Sequence, residues 1–144
     1  MQMTGTERTK TVQDVHEMLN AYFAAIHSEG LNAEFRYLDR SDAFFWVPPG
    51  YRTHISYDSV AVILRSRGPA FRSIASAWDT LRVEPVTTEF AVYTGRFHST
   101  YTDTLGSVSH YGGVETGTAI KRADGWRLLN GQTSVWKEDV GSRE

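Results

Sequence analysis

From Thr80 to Trp136 the chain is built mostly of residues that favour extended backbone, with short turn signals between them. Those signals are Thr87-Thr88, Asp103 to Gly106 and Ala123 to Gly125, and they divide the region into strands at about 80–87, 89–102, 107–122 and 125–136. Turns this short make neighbouring strands antiparallel, because a parallel crossover needs about a dozen residues or more. A sheet of this kind must bury one face, so the first half of the chain has to supply the cover.

That half reads as helical. Thr11 with Asp14 three residues on marks a helix N-terminus, and Val12, Val15, Leu19, Tyr22, Phe23 and Ile26 then recur at helical spacing until Gly30. A second helix is predicted from about Asn32 through Phe35 and Leu38, ended by Arg40-Ser41-Asp42. Ala43 to Val47 is an apolar strand stopped by Pro48-Pro49-Gly50, and Tyr51 to Ser56 is expected to return beside it as a hairpin. A third helix is predicted over Tyr57 to Arg67, and Gly68-Pro69 opens a short renewed helix ending near Trp78. The expected class is α+β, with helices on one face of a curved antiparallel sheet. The expected boundaries are a flexible tail at 1–10, one domain over 11–137 and a C-terminal tail at 138–144.

Composition narrows the function classes. Four Trp, seven Tyr and seven Phe supply ample apolar area for one core. A net charge of −2 gives no general attraction to nucleic acid or anionic membranes, so neither is an expected partner. The absence of cysteine excludes disulfides, thiolate metal sites and a cysteine nucleophile. The polar start Met1 to Lys10 does not read as a signal peptide, and the expectation is a cytoplasmic protein. His16, His27, His54, His98 and His110 show no H-x-H or H-x-x-x-H spacing, so no metal site is expected. No Gly-x-Ser-x-Gly elbow or phosphate-binding loop is present.

The order of elements resembles the NTF2-like superfamily, and within it the SnoaL-like and DUF4440 branch. The residues that carry the resemblance are Tyr22 in the first helix and Ser41-Asp42-Ala43 to Trp46-Val47-Pro48-Pro49-Gly50. Asp124-Gly125-Trp126-Arg127-Leu128 with Gln132-Thr133-Ser134 completes it. The resemblance implies a cone-shaped sheet packed around about three N-terminal helices, a pocket between them, and a homodimer formed through the sheet. It spans isomerases, dehydratases, polyketide cyclases and proteins that only bind or assemble, so fold alone does not select an activity.

Two departures bear on chemistry. The ketosteroid isomerases of this superfamily place an aspartate base just before the hairpin proline, where this chain has Val47; the donor tyrosine matches Tyr22. The closing strand often has His where this chain has Gln132, whose amide can bind but cannot transfer protons near neutrality. The leading expectation is therefore a pocket for a hydrophobic or aromatic small molecule, lined by Tyr22, Trp46, His98, Asn130 and Gln132, with no cofactor. Asn130, Gln132 and Ser134 share one face of the closing strand and are read as polar pocket wall. Phe44 adds apolar wall, and Arg96 is read as an exposed sheet residue.

The first alternative is a cofactor-independent isomerase, lyase or cyclase acting on a carbonyl compound, with His98 or His110 as base and Tyr22 as donor. His110 and Glu115 stand an odd number of positions apart and face opposite sides unless Gly112-Gly113 forms a bulge. Glu115 is read as solvated or at an interface. The second alternative is an assembly module, with Phe97 or Tyr101 exposed as a dimer patch.

Overall fold

The computed structural model describes residues 2–138; the tail expected at 138–144 lies outside the described residues apart from Glu138. Helix α1 spans Gly5–Glu29, followed by a 3-10 helix at Leu31–Arg36, strand β1 at Phe45–Val47 and helix α2 at Tyr57–Arg67. Strands β2 (Phe71–Thr87), β3 (Phe90–Asp103), β4 (Val108–Arg122) and β5 (Gly125–Lys137) complete the chain. The sheet order is β1-β5-β4-β3-β2.

Four expectations about elements are corrected. Helix α1 starts at Gly5 rather than after Thr11, so most of the expected 1–10 tail is helical. The reason is a capping box: Thr4 Oγ1 accepts from the Glu7 N–H at 3.0 Å, and the Glu7 carboxylate accepts from the Thr4 N–H at 2.9 Å. The short helix expected to end near Trp78 is instead one 3-10 turn at Gly68–Ala70, after which β2 begins at Phe71. The alternation of β2 is masked in the sequence by an irregularity between Trp78 and Thr80, which moves the buried phase from Ile74, Ser76 and Trp78 to Leu81, Val83 and Pro85. The expected hairpin at 43–56 is reduced to a single antiparallel bridge, Trp46 to Ile55. β1 pairs in parallel with β5 instead, which makes the sheet mixed rather than antiparallel throughout.

The other three ladders are antiparallel, with register from Phe90 opposite Ile120 to Thr102 opposite Val108 between β3 and β4. The inward residues of β3 include Ala91, Tyr93, Phe97 and Ser99; those of β4 include Glu115 and Ala119. Helix α1 covers this face with Val15, Leu19, Tyr22, Phe23 and Ile26, the stripe that its spacing predicts. Phe23 stacks on Trp78 with centroids 4.5 Å apart and meets Phe97 edge-on at 5.7 Å. The far end of the cover is fastened by Asp39, whose carboxylate accepts from Arg122 Nε at 2.8 Å and Nη2 at 2.9 Å.

Candidate functional site

Between the helices and the inner sheet face lies a cavity of about 600 Å³. Its walls come from α1 (Tyr22, Phe23, Ile26), the 3-10 segment (Leu31, Glu34), β1 (Trp46), α2 (Ile63, Leu64) and the inner positions of the long strands. The volume exists because the centre of the sheet carries small side chains, Ser76, Ser99 and Thr133, where bulk would otherwise meet the helices. Two glycines let large rings lie flat beside it. A Cβ at Gly113 would sit 2.2 Å from Phe97 Cζ, and one at Gly131 would sit 2.5 Å from Trp46 Cη2.

Three acids line this space: Asp103, whose Oδ1 accepts from the Leu105 and Ser107 N–H groups at 2.9 Å, and the two glutamates Glu115 and Glu34. Glu115 of β4 is 4% exposed; its Oε2 accepts from Tyr93 OH at 2.6 Å and its Oε1 from Thr133 Oγ1 at 3.2 Å. Thr133 in turn accepts from Trp46 Nε1 at 2.9 Å, so β1, β3, β4 and β5 meet in one hydrogen-bonded chain. Glu34, on the 3-10 segment, accepts a hydrogen bond from the buried Tyr22 hydroxyl.

Desolvation pushes the Glu115 carboxyl up to about 7, against the opposing pull of the Tyr93 and Thr133 donors. Glu34 also rises to about 7, mainly by desolvation, with the Tyr22 bond opposing and the Glu115 charge adding to the rise. Burial and the neighbouring carboxylates raise Tyr22 and Tyr93 well above the ordinary phenol value, so both remain donors. Paired groups of this kind can accept a hydrogen bond when ionised, donate one when protonated, and exchange a proton near neutral pH.

The structure gathers only part of the expected set. Tyr22 and Trp46 line the cavity, as does Phe44. His98 lies on the outer face, half-exposed, with Nδ1 2.7 Å from Asp79 Oδ1. His110 is also on the outer face, 3.2 Å from Thr100 Oγ1, and the β3–β4 register runs through Gly112 and Gly113 without a bulge. Neither imidazole can serve a reaction in the cavity, which removes both expected bases. Asn130 and Gln132 do share a face with Ser134, but it is the outer one. An irregularity opposite Thr118 and Ala119 leaves Leu129 unpaired and inverts the phase, so that Leu128, Thr133 and Val135 face inward. Asn130 instead ties strands together, accepting from Thr118 at 2.7 Å and donating to the Ala43 carbonyl at 2.9 Å.

Glu115 is not solvated, and Phe97 and Tyr101 line the cavity rather than forming an exposed patch. Arg96 is exposed as expected, with its guanidinium 5.9 Å from the Trp136 ring. Glu34 is absent from the residues that the sequence singles out. Its signal is the spacing of Leu31, Glu34 and Leu38, which puts an acid on the inward side of a helical turn. Among the described residues, no group of three His, Cys, Asp or Glu side chains converges as a metal ion requires. No helix among them is long and apolar enough to cross a membrane.

Solved structures share this architecture. The NTF2-like superfamily protein from Salmonella enterica serovar Typhimurium LT2 superposes with a TM-score of 0.70 at 20% identity, over 94% of this chain and 97% of that one. The fold is NTF2-like. LinA superposes at 0.74 with 14% identity over 96% of both chains. The hexachlorocyclohexane dehydrochlorinase LinA-type3 of Novosphingobium barchaimii LL02 does so at 0.72 with 12% identity, over 94% of this chain and 93% of that one. Identities this low establish the fold alone. No protein-family model matches the sequence, and no curated protein matches it.

Proposed function

We propose that the chain binds a hydrophobic small molecule in the cavity, with Glu34 and Glu115 taking the polar end of that ligand. The observation that carries this reading is a pair of desolvated carboxylates facing a mainly apolar space of about 600 Å³, within the range of small-molecule sites. A thermal-shift screen with hydrophobic compounds of about 10 to 20 heavy atoms tests it. A ligand at a hundred times its Kd adds about 2.7 kcal/mol to stability. Chemical-shift changes confined to the outer sheet face, or no stabilisation by any such compound, would refute it.

The raised carboxyls favour a second reading, a cofactor-independent isomerase, lyase or cyclase in which one carboxyl replaces the histidine base. A group near pH 7 has the balance of ionised fraction and basicity that proton transfer needs. The LinA and dehydrochlorinase likenesses are compatible with it. The SnoaL-like or DUF4440 assignment belongs to the same proposal, as do a cytoplasmic location and a homodimer formed through the sheet. The outer face exposes Val92, Val114 and Trp136, which suits such an interface, and a monomer by light scattering at high concentration would exclude the dimer.

A further inference from the structure

We propose that the ligand of this cavity is a hydrophobic organic amine, bound as its ammonium ion against Glu34 and Glu115. The inference deepens the ligand-binding reading above and rests on it.

Neither carboxylate has all its acceptor sites filled. An ionised carboxylate offers about four acceptor sites. Glu115 has two of them filled by neutral hydroxyls, and Tyr22 reaches only Oε1 of Glu34. Among the described residues no other side-chain donor is bonded to either group. The titratable or charged side chains lining the cavity besides these two are Tyr22, Arg67, Tyr101, Asp103 and Tyr111, with Tyr93 behind Glu115. Arg67 is the one cation among them. It is exposed, and it bonds to neither glutamate. Neither acid has a positive partner among the described residues, and a charge brought by the ligand would supply one.

The walls select the kind of cation. Faces and edges of Tyr22, Phe23, Phe44, Trp46, Phe97 and Tyr101 surround the space, which suits an organic cation with an apolar body and disfavours a hydrated inorganic ion. A primary ammonium carries three donors on one atom, enough to fill open acceptor sites of either carboxylate. A ketone carries none and an alcohol one. Ionic hydrogen bonds formed out of water are also the stronger kind.

The direction of the pH response follows. Below about pH 7 both acids are mainly neutral, and the amine has no anion to meet. Above it they ionise, while an alkylammonium resembling that of lysine stays charged to about pH 10. Amine affinity therefore rises with pH across this interval, by about tenfold between pH 6 and pH 8 if one ionisation is required.

Calorimetric titration of the full chain with 2-aminotetralin, and with the same-shaped neutral probes 2-tetralol and 2-tetralone, tests the inference. The expected result at pH 8 is binding of the amine about tenfold or more tighter than either neutral probe. Proton release on amine binding should appear at pH 6, where the acids are mainly protonated before binding, when buffers of different ionisation enthalpy are compared. Glu34→Gln and Glu115→Gln, each checked by circular dichroism, should remove most of the amine's advantage and leave the neutral probes within about threefold. The wild-type pH profile serves alone if a variant does not fold. Equal affinity for amine and alcohol, or amine affinity that falls from pH 6 to pH 8, overturns the amine inference while leaving ligand binding intact. Failure of all three probes, and of the wider hydrophobic screen, overturns both.

Discussion

Replacing Glu115 by glutamine should make the folded protein lose less stability as the solution becomes alkaline. The native carboxyl titrates at about 7, against 4.5 for an ordinary glutamate. Because the folded value is the higher one, the native state prefers the protonated form. The cost of the site is absent below about pH 4.5, grows as pH rises, and is complete above about 7. That interval corresponds to ~3 kcal/mol, from 1.36 kcal/mol for each unit between folded and unfolded values. The amide of Glu115→Gln cannot ionise, so this part of the pH dependence disappears in the variant.

A constant term runs the other way. The amide has one acceptor oxygen where the acid has two, and either Tyr93 or Thr133 must turn to accept from the new NH₂. That rearrangement costs about 1 kcal/mol at every pH. The diagnostic quantity is therefore the slope of the difference between variant and wild type, not its sign at one pH. Urea unfolding at half-unit steps from pH 4.5 to 8.5 measures it. The variant should gain ~3 kcal/mol on the wild type across the range, or roughly 10 °C in melting temperature. Parallel curves for the two proteins would show that Glu115 is ionised and well solvated in the folded state, and the account of the cavity's electrostatics would be wrong.

Three further changes probe other parts of the structure. Gly113→Ala should cost about 1 to 3 kcal/mol in chemical denaturation and push Phe97 into the cavity, because the new methyl overlaps its ring. Thr4→Ala should lower stability by about 1 kcal/mol and increase amide exchange over the first turn of α1; no effect would mean that the helix starts later than Gly5. His98→Ala and His110→Ala should leave affinity for any cavity ligand within about twofold, since both side chains lie on the outer face; a large loss in either would place that imidazole inside.

Much of this architecture is legible in the sequence because it rests on local rules. The stripe from Val15 to Ile26, α2 over Tyr57–Arg67 and the turns between the long strands follow from periodicity and turn chemistry, and the structure places them there. The misplacement of Asn130 and Gln132 has one physical cause. Strand parity carries the inside or outside assignment of every side chain, and one unpaired residue reverses it for all that follow. Leu129 does so in β5, turning Thr133 inward and sending Asn130 and Gln132 out. Nothing in Leu128-Leu129 marks which leucine leaves the ladder. In β4 the parity is undisturbed, and Glu115 follows Tyr111 and Ala119 to the inner face; its charge suggests solvent, and position decides otherwise.

The carboxylates and the apolar walls depend on one another energetically. A space of about 600 Å³ left dry would forfeit packing contacts for every side chain that lines it. The polar centre formed by Glu34, Ser76, Ser99 and Glu115 avoids that cost, because it can hold water when no ligand is bound. The same centre then sets a condition on any occupant. A purely apolar molecule would displace water from two acids without replacing its hydrogen bonds, and would lose affinity by doing so. A molecule with a polar end at the glutamates and an apolar body against Phe23, Trp46 and Phe97 satisfies both parts of the surface. The acids make the cavity tolerable when unliganded and selective when filled.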